Sequence, residues 1–334
     1  MTRTLVTGGS GLIGGALIAE LIANGQEVVG LARSDSAAQA IRARGAEVAR
    51  GDVSDQRAVS EAAQGCELVY HLAGINALCA LDPALMLRTN VDGAAIVTRA
   101  AAQAGVRRLI HTSSAASVGE ARGTVGREDS PHRGSYLSVY ERSKHLSERA
   151  VLDAAGDTGL DVVFVNPASV QGPGRASGTG KLLIAFLDGR LRVFIDTTIS
   201  IVDVADCVRG HVLAAERGTT AARYLLCGAT LTMTEAFELA RRIAGVSGRP
   251  RVLPPALARA GASIVEIGSR LLRRPPPICR EMVETMLHGH RYDGSRAARE
   301  LGLTYTPVEQ TLRATIEWAT AQGLMRSRTG VAPV

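Results

Sequence analysis

Apolar and polar positions alternate between two rhythms along the first half of the chain. Six short runs are rich in β-branched residues: TLVT (4–7), EVVGLA (27–32), AEVARG (46–51), LVYHLA (68–73), RLIHTSS (108–114) and DVVFVNP (161–167). Between them lie alanine-rich stretches with helical spacing, at about 12–24, 35–44, 55–64, 82–105 and 136–156. Strands that read as near-continuous apolar runs, each followed by a helix, predict a parallel sheet covered on both faces. Right-handed crossovers then make the fold an α/β, doubly wound sheet.

The rhythm changes after Pro167. SVQGPGRASGTG reads as a loop, followed by a helix (181–189), a strand ISIVDV (199–204), a helix (205–216) and a strand YLLC (224–227). From Thr232 the pattern is mostly helical, with a break at the three prolines 275–277. The expected division is a dinucleotide-binding domain over 1–168, rejoined by about 192–228. A smaller, mostly helical substrate lobe takes 169–191 and 229–325, and 326–334 is a disordered tail.

The glycine turn gives the sheet a ligand. TLVTGGSGLIGGALIAEL sets Gly8, Gly11 and Gly14 between a strand and a helix. In this arrangement the first glycine permits a tight turn, the second a close approach to a pyrophosphate, and the third close packing of helix on strand. The second strand ends in Ala32 and Arg33, where NAD-binding chains usually carry an acid for the ribose hydroxyl. Arginine pairs instead with the 2′-phosphate of NADP. NADP(H) is therefore the expected cofactor and NAD(H) the alternative, with Asp35 close by. Asp52, ending the third strand in GDV, is placed to accept a hydrogen bond from adenine. Ala73 and Gly74 leave room beside the fourth strand.

Composition narrows the rest. Of thirty-eight basic residues only Lys144 and Lys181 are lysine, and Lys144 stands four residues after Tyr140 in YERSK. On a helix the two share a face. A phenol is a poor proton donor at neutral pH, and a nearby ammonium lowers its pKa. Such a pair could protonate a carbonyl oxygen beside a nicotinamide, with a hydroxyl from HTSSAASVG orienting that oxygen. The net charge is +6, but the arginines are scattered and aromatics are 3%, so no nucleic-acid platform is expected. Cys66, Cys79, Cys207, Cys227 and Cys279 show no ligand or disulfide spacing and read as small buried residues in a reducing cytoplasm. His288 and His290 flank a glycine without carboxylates at ligand spacing, so no metal is expected. No targeting segment or spanning run is read at the N-terminus or elsewhere.

Together TGGSGLIG, GDVSD, YHLAG, NVDG, TSSAASVG, YERSK and NPASVQGPG resemble the extended short-chain dehydrogenase/reductase family, to about residue 320. The run from GKLLIAFLDGRL through FIDTTISIVDVADCVRGHVLAAERG to RYLLCGATLTMTEAF is similar to its dihydroflavonol-4-reductase-like branch. That branch includes hopanoid-associated sugar epimerase-type proteins and is close to 3β-hydroxysteroid dehydrogenases. The resemblance implies a Rossmann fold and a catalytic set of Ser114, Tyr140 and Lys144, with Ser113 the adjacent alternative. It implies a cofactor site that also takes in Thr7, Leu12, Ile13, Val53, Leu72, Asn90, Thr112 and Pro167. Sugar-nucleotide members carry an arginine before the VxDxA segment, and here Asp196, Thr197 or Thr198 stands there.

The expected function is NADPH-dependent reduction of a carbonyl on a small or mid-sized, largely apolar substrate, by a cytoplasmic homodimer. The alternatives are a nucleotide-sugar epimerase or dehydratase, a 3β-hydroxysteroid-type dehydrogenase, and a non-catalytic NADP-sensing regulator. The segment 257–274 carries one polar stripe, Arg259, Ser263, Glu266 and Arg270, on an otherwise apolar helix. It is expected to be a core helix, a lid on an apolar pocket, or a peripheral membrane contact.

Overall fold

A computed structural model describes residues 2–248 and 250–325; the expected tail, 326–334, lies outside the described residues. The strands are β1 (Arg3–Thr7), β2 (Glu27–Ala32), β3 (Glu47–Arg50), β4 (Leu68–His71), β5 (Arg108–Thr112), β6 (Asp161–Pro167), β7 (Ser169–Gln171), β8 (Val193–Phe194), β9 (Thr198–Asp203), β10 (Arg223–Leu226), β11 (Ala229–Thr232) and β12 (Arg251–Val252). The helices of the first half are α1 (Leu12–Ala23), α2 (Asp35–Arg42), α3 (Gln56–Ala62), α4 (Pro83–Leu87), α5 (Gly93–Gln103) and α6 (Val139–Thr158). The remainder are α7 (Thr179–Leu187), α8 (Val204–Arg217), α9 (Met233–Ala244), α10 (Pro255–Leu271), α11 (Arg280–His288) and α12 (Val308–Ala321).

Seven parallel strands form the central sheet in the order β10-β6-β5-β4-β1-β2-β3. The order reverses between β1 and β4, and ligands of such sheets bind at that switch point, beyond the strand C-termini. Each face carries its own buried cluster. Leu17, Ile18, Val208 and Tyr224 belong to one, and Val59, Val97, Val151 and Phe164 to the other. Both faces are thus dry, which is why the strands read as continuous apolar runs.

Two further sheets were not visible as pattern. β9 pairs with β7 and β11 in a three-stranded sheet, and β8 pairs with β12. β7 lies inside the stretch expected as loop, too short at three residues to give an alternating signature. Of the returning segment, β10 joins the central sheet while β9 belongs to the three-stranded one. A third cluster, including Phe186, Phe237, Leu312 and Ile316, fills the C-terminal lobe, with the two phenylalanine rings stacked at 4.5 Å.

Two expectations are corrected. Cys79 and Cys279 form a disulfide across 200 residues of sequence, with Cα atoms 5.7 Å apart. Local spacing could not reveal it, because the loop after β4 and the start of α11 meet only through the fold. Cys66, Cys207 and Cys227 are free and buried, as expected of all five. The helix at 257–274 forms, but it is not a core helix: among its residues only Ala258 and Ala262 are buried.

Candidate active site

The glycine turn closes the gap between β1, β4 and α1. Gly8 has φ 75°, and a Cβ there would come within 2.7 Å of the Ala73 nitrogen, so both conformation and space demand glycine. At Gly14 a Cβ would lie 2.3 Å from the Gly8 carbonyl oxygen, which fixes how closely α1 approaches the turn. Gly11 caps α1 with no side-chain hydrogen bond to its N-terminus, and Leu12 and Ile13 open its first turn. A helix N-terminus left open at a sheet switch point, behind a turn that admits no side chain, fits a dinucleotide pyrophosphate. The Thr7 hydroxyl lies 2.7 Å from His71 Nδ1 and accepts from the Ala73 N–H at 3.1 Å, locking β1 to the end of β4, beyond which come Leu72 and Gly74.

At the end of β2 the Arg33 side chain is 73% exposed and lies 3.5 Å from Asp52. Burial pushes the Asp52 carboxyl up, but hydrogen bonds from Ser54 and the charge of Arg33 win and hold it low. Asp35 turns away to pair with Arg50, so it does not oppose an anion at Arg33. Val53 is buried beneath this edge.

Tyr140 and Lys144 rise one turn apart on α6, whose N-terminus is capped by the Ser138 hydroxyl accepting from the Glu141 N–H at 3.0 Å. The Ser114 hydroxyl lies against the phenol and draws its pKa down, as does Arg175, while burial outweighs both and raises it. Ser113 is committed elsewhere: it donates to Glu148 in the interior. Lys144 is buried and donates to the Thr112 carbonyl at 2.9 Å. Burial pulls its pKa down to about 8, against the pull of Glu148. Arg175 is thus a cation at the phenol that helical spacing did not single out.

Several residues that spacing did not single out complete the arrangement. Glu148, four residues beyond Lys144 and fully buried, accepts from Ser117 and Asn166 at 2.6 Å each and lies 2.6 Å from Arg223 Nε. The series Tyr140, Lys144, Glu148 at spacings of four is a signal the sequence does carry. Arg175, in the loop after β7, is half-buried and its Nε has no partner. Asn90 sits in a turn of π-helix, accepts from the Ile75 N–H at 2.7 Å, and donates to the Ile75 carbonyl at 2.9 Å and to Ser143 at 2.8 Å. Its amide holds the loop after Gly74 against α6. A Cβ on Gly74 would lie 3.5 Å from Lys144 Nζ, so that loop borders the lysine directly. The Thr112 hydroxyl lies 2.8 Å from His211 Nε2, and Pro167 ends β6 beside β10.

Away from this centre, Glu120, His288 and His290 bring their ligand atoms within 4.8 Å of one another, close enough to hold a metal ion. His290 Nδ1 is 2.6 Å from Glu120, giving the buried carboxylate a partner, and 3.1 Å from the Tyr292 hydroxyl. Glu120 was missed because it lies 170 residues from His290. At the segment where sugar-nucleotide members carry arginine, Asp196 accepts from the Thr234 N–H at 3.1 Å and Thr197 donates to the Met286 carbonyl.

Residues 4–227 match the NAD dependent epimerase/dehydratase family. The chain is 33% identical to sterol demethylase protein B of Methylococcus capsulatus, over 96% of this chain and 99% of that protein. It is 31% identical to the 4-hydroxy-2-methyl-3-oxo-4-farnesyl-3,4-dihydroquinoline-1-oxide ketoreductase of Stigmatella aurantiaca, over 90% and 91%. Among solved structures, that of gox2253 superposes with a TM-score of 0.85 at 30% identity, covering 98% of this chain and all of that one.

Proposed function

The chain belongs to the NAD dependent epimerase/dehydratase family, and we propose that it acts there as an NADPH-dependent reductase of a carbonyl on a largely apolar substrate. One observation carries the reading: Ser114 and Tyr140 meet beside a buried Lys144, next to a glycine turn shaped for a dinucleotide. When bound, the reduced nicotinamide supplies the hydride. The chain's own groups do the rest. The N-terminus of α1 takes the pyrophosphate. Arg33 leaves its weak contact with Asp52 to take the 2′-phosphate, and Lys144 takes the ribose hydroxyls.

Ser114 orients the carbonyl oxygen and Tyr140 gives it a proton. Burial keeps the phenol protonated at neutral pH, which is the state a donor needs. The phenolate left behind is then stabilised by Arg175 and by the Ser114 hydroxyl.

Support for the substrate class comes from what surrounds the phenol. Arg175 has an unsatisfied, buried Nε beside Tyr140, which suits an acidic or oxygen-rich group next to the reacting carbonyl. Asp196, Thr197 and Thr198 put no cation where a nucleotide diphosphate would need one. Two relatives of similar length are named for a sterol and for a farnesylated ring, each with a large hydrocarbon portion. The test is NADPH oxidation across long-chain 3-oxo acids, the matching neutral ketones and UDP-sugars. Fastest turnover is expected for an acid with a long apolar chain. Conversion of a UDP-sugar with no net NADPH oxidation would sink the reading.

A further inference from the structure

Helix α10 faces the wrong way round for a surface meant for water. Leu257, Ile264, Ile267 and Leu271 are 60%, 72%, 62% and 79% exposed. Spacings of seven, three and four put them on one face, with the exposed small residues Ala260, Gly261 and Gly268 between them. Leu272 extends the face at the C-terminal end. The polar stripe runs along the α11 side, with Arg259 and Arg270 about half exposed. Arg259 Nε donates to Glu284 of α11 at 2.7 Å, and Glu266 accepts from Arg270 and from the Arg280 backbone N–H at 3.0 Å each. One salt link and one backbone hydrogen bond to α11, with two buried alanines, thus hold the helix, while its large apolar side chains are left outside.

The border of that face is cationic. Residues 251–280 contain six arginines and one acid, Glu266, an excess of five positive charges against +6 for the whole chain. The acid is engaged inward. Arg251, Arg273, Arg274 and Arg280 are exposed and make no ion pair among the described residues. Arg273 ends the helix in the left-handed region at φ 52°, setting two arginines directly after Leu271 and Leu272. A second copy of the chain docked symmetrically here would bring these arginines against each other, a repulsive contact. An apolar strip with a cationic rim instead complements anionic headgroups over acyl chains. No helix of the described residues is long and apolar enough to cross a membrane, and α10, at 17 residues or about 25 Å, is suited to lie flat.

We propose that α10 docks this protein on the surface of an anionic phospholipid bilayer, apolar face down at the headgroup–acyl boundary, with Arg273 and Arg274 among the headgroups. The docked helix pair reaches the site: Glu281 of α11 accepts from the backbone N–H of Val139, the residue before Tyr140, at 3.1 Å. The inference goes beyond the reading of the site and fails separately from it, because docking is measured without cofactor or substrate.

The experiment is sedimentation of the full chain with phosphatidylglycerol–phosphatidylcholine vesicles and with pure phosphatidylcholine vesicles, at low and high salt. Binding is expected to the first, about tenfold weaker to the second, and reduced by salt. Ile264→Ser with Ile267→Ser should weaken it about tenfold or more, with an unchanged thermal transition. Arg273→Ala with Arg274→Ala should weaken binding to the anionic vesicles only. Should the double serine variant unfold, Leu271→Ser is measured in its place, and slowed hydrogen exchange of the α10 amides on vesicles is expected in the unaltered protein. Absence of vesicle binding overturns the proposal. So does binding unaffected by the serines, or a dimer in solution that the serines dissolve, which would make a second copy the cover.

Discussion

Helices α6 and α10 both pair polar side chains along the side that meets the protein, and they end in opposite circumstances. On α6 the inward groups are sealed: Glu141, Lys144 and Glu148 are buried, and each is held by partners from other elements. On α10 the inward groups pair along a half-open seam, and the outer face is made of leucine and isoleucine. Burying charge is unfavourable unless it is paired, so a helix that does so repeatedly is shaped by what those groups must do. Exposing large apolar side chains is unfavourable unless something covers them, so that helix is shaped by what it must meet. An amphipathic pattern says that a helix has two faces; it does not say which one turns inward.

The contrast breaks if α6 carries no chemistry. Tyr140→Phe is expected to lower turnover about a thousandfold, with NADPH still quenching or enhancing fluorescence on titration and the thermal transition unmoved. Turnover within a few-fold of the parent would leave the buried polar face of α6 without a purpose.

Stability separates the two helices next. Glu148→Ala strands Arg223 and takes one acceptor each from Ser113, Ser117 and Asn166, and should cost about 3 kcal/mol in urea unfolding. Ile264→Ser on α10 should change the same midpoint by no more than about 0.5 kcal/mol. Equal losses would mean that the outer face of α10 is packed after all.

A third case lies between them: Arg33 is polar and exposed, waiting for a ligand instead of a neighbour. Arg33→Asp should reverse the preference for NADPH over NADH, by about tenfold or more in relative affinity through repulsion of the 2′-phosphate. Equal affinities in the unaltered protein, measured by titration, would remove Arg33 from the site.

The last effect is a slope. In the cofactor-free protein Lys144 gives up its proton at about 8, whereas its ordinary value is 10.5. Between those values the unfolded chain binds more protons, so stability should rise with pH across that window. Lys144→Met should flatten the rise; an identical slope in the variant would show that folding does not lower the lysine's pKa.

Much of the sheet half was legible, because its information is local. β2 and β6 run over the residues that the apolar pattern marked, and Gly8 and Gly14 are required by contacts within the turn itself. Tyr140 and Lys144 are one helical turn apart, so their shared face is fixed by the spacing. What stayed hidden depends on distant parts of the chain. Arg175 reaches the phenol from a loop, Glu120 finds His290 across 170 residues, and Cys79 finds Cys279 across 200. The orientation of α10 belongs with these, since it is decided by Glu284 and the Arg280 amide on another helix.

The disulfide also changes what kind of object the chain is. Cys79–Cys279 closes a covalent ring that contains Tyr140, Lys144, Glu148 and Arg175, with the glycine turn on one free arm and α11 and α12 on the other. A protease that cuts once anywhere in 80–278 opens the ring without releasing a fragment. The nicked protein would run as one band until a thiol reductant is added, and as two afterwards. Inside the ring, a break in the backbone is not a break in the molecule.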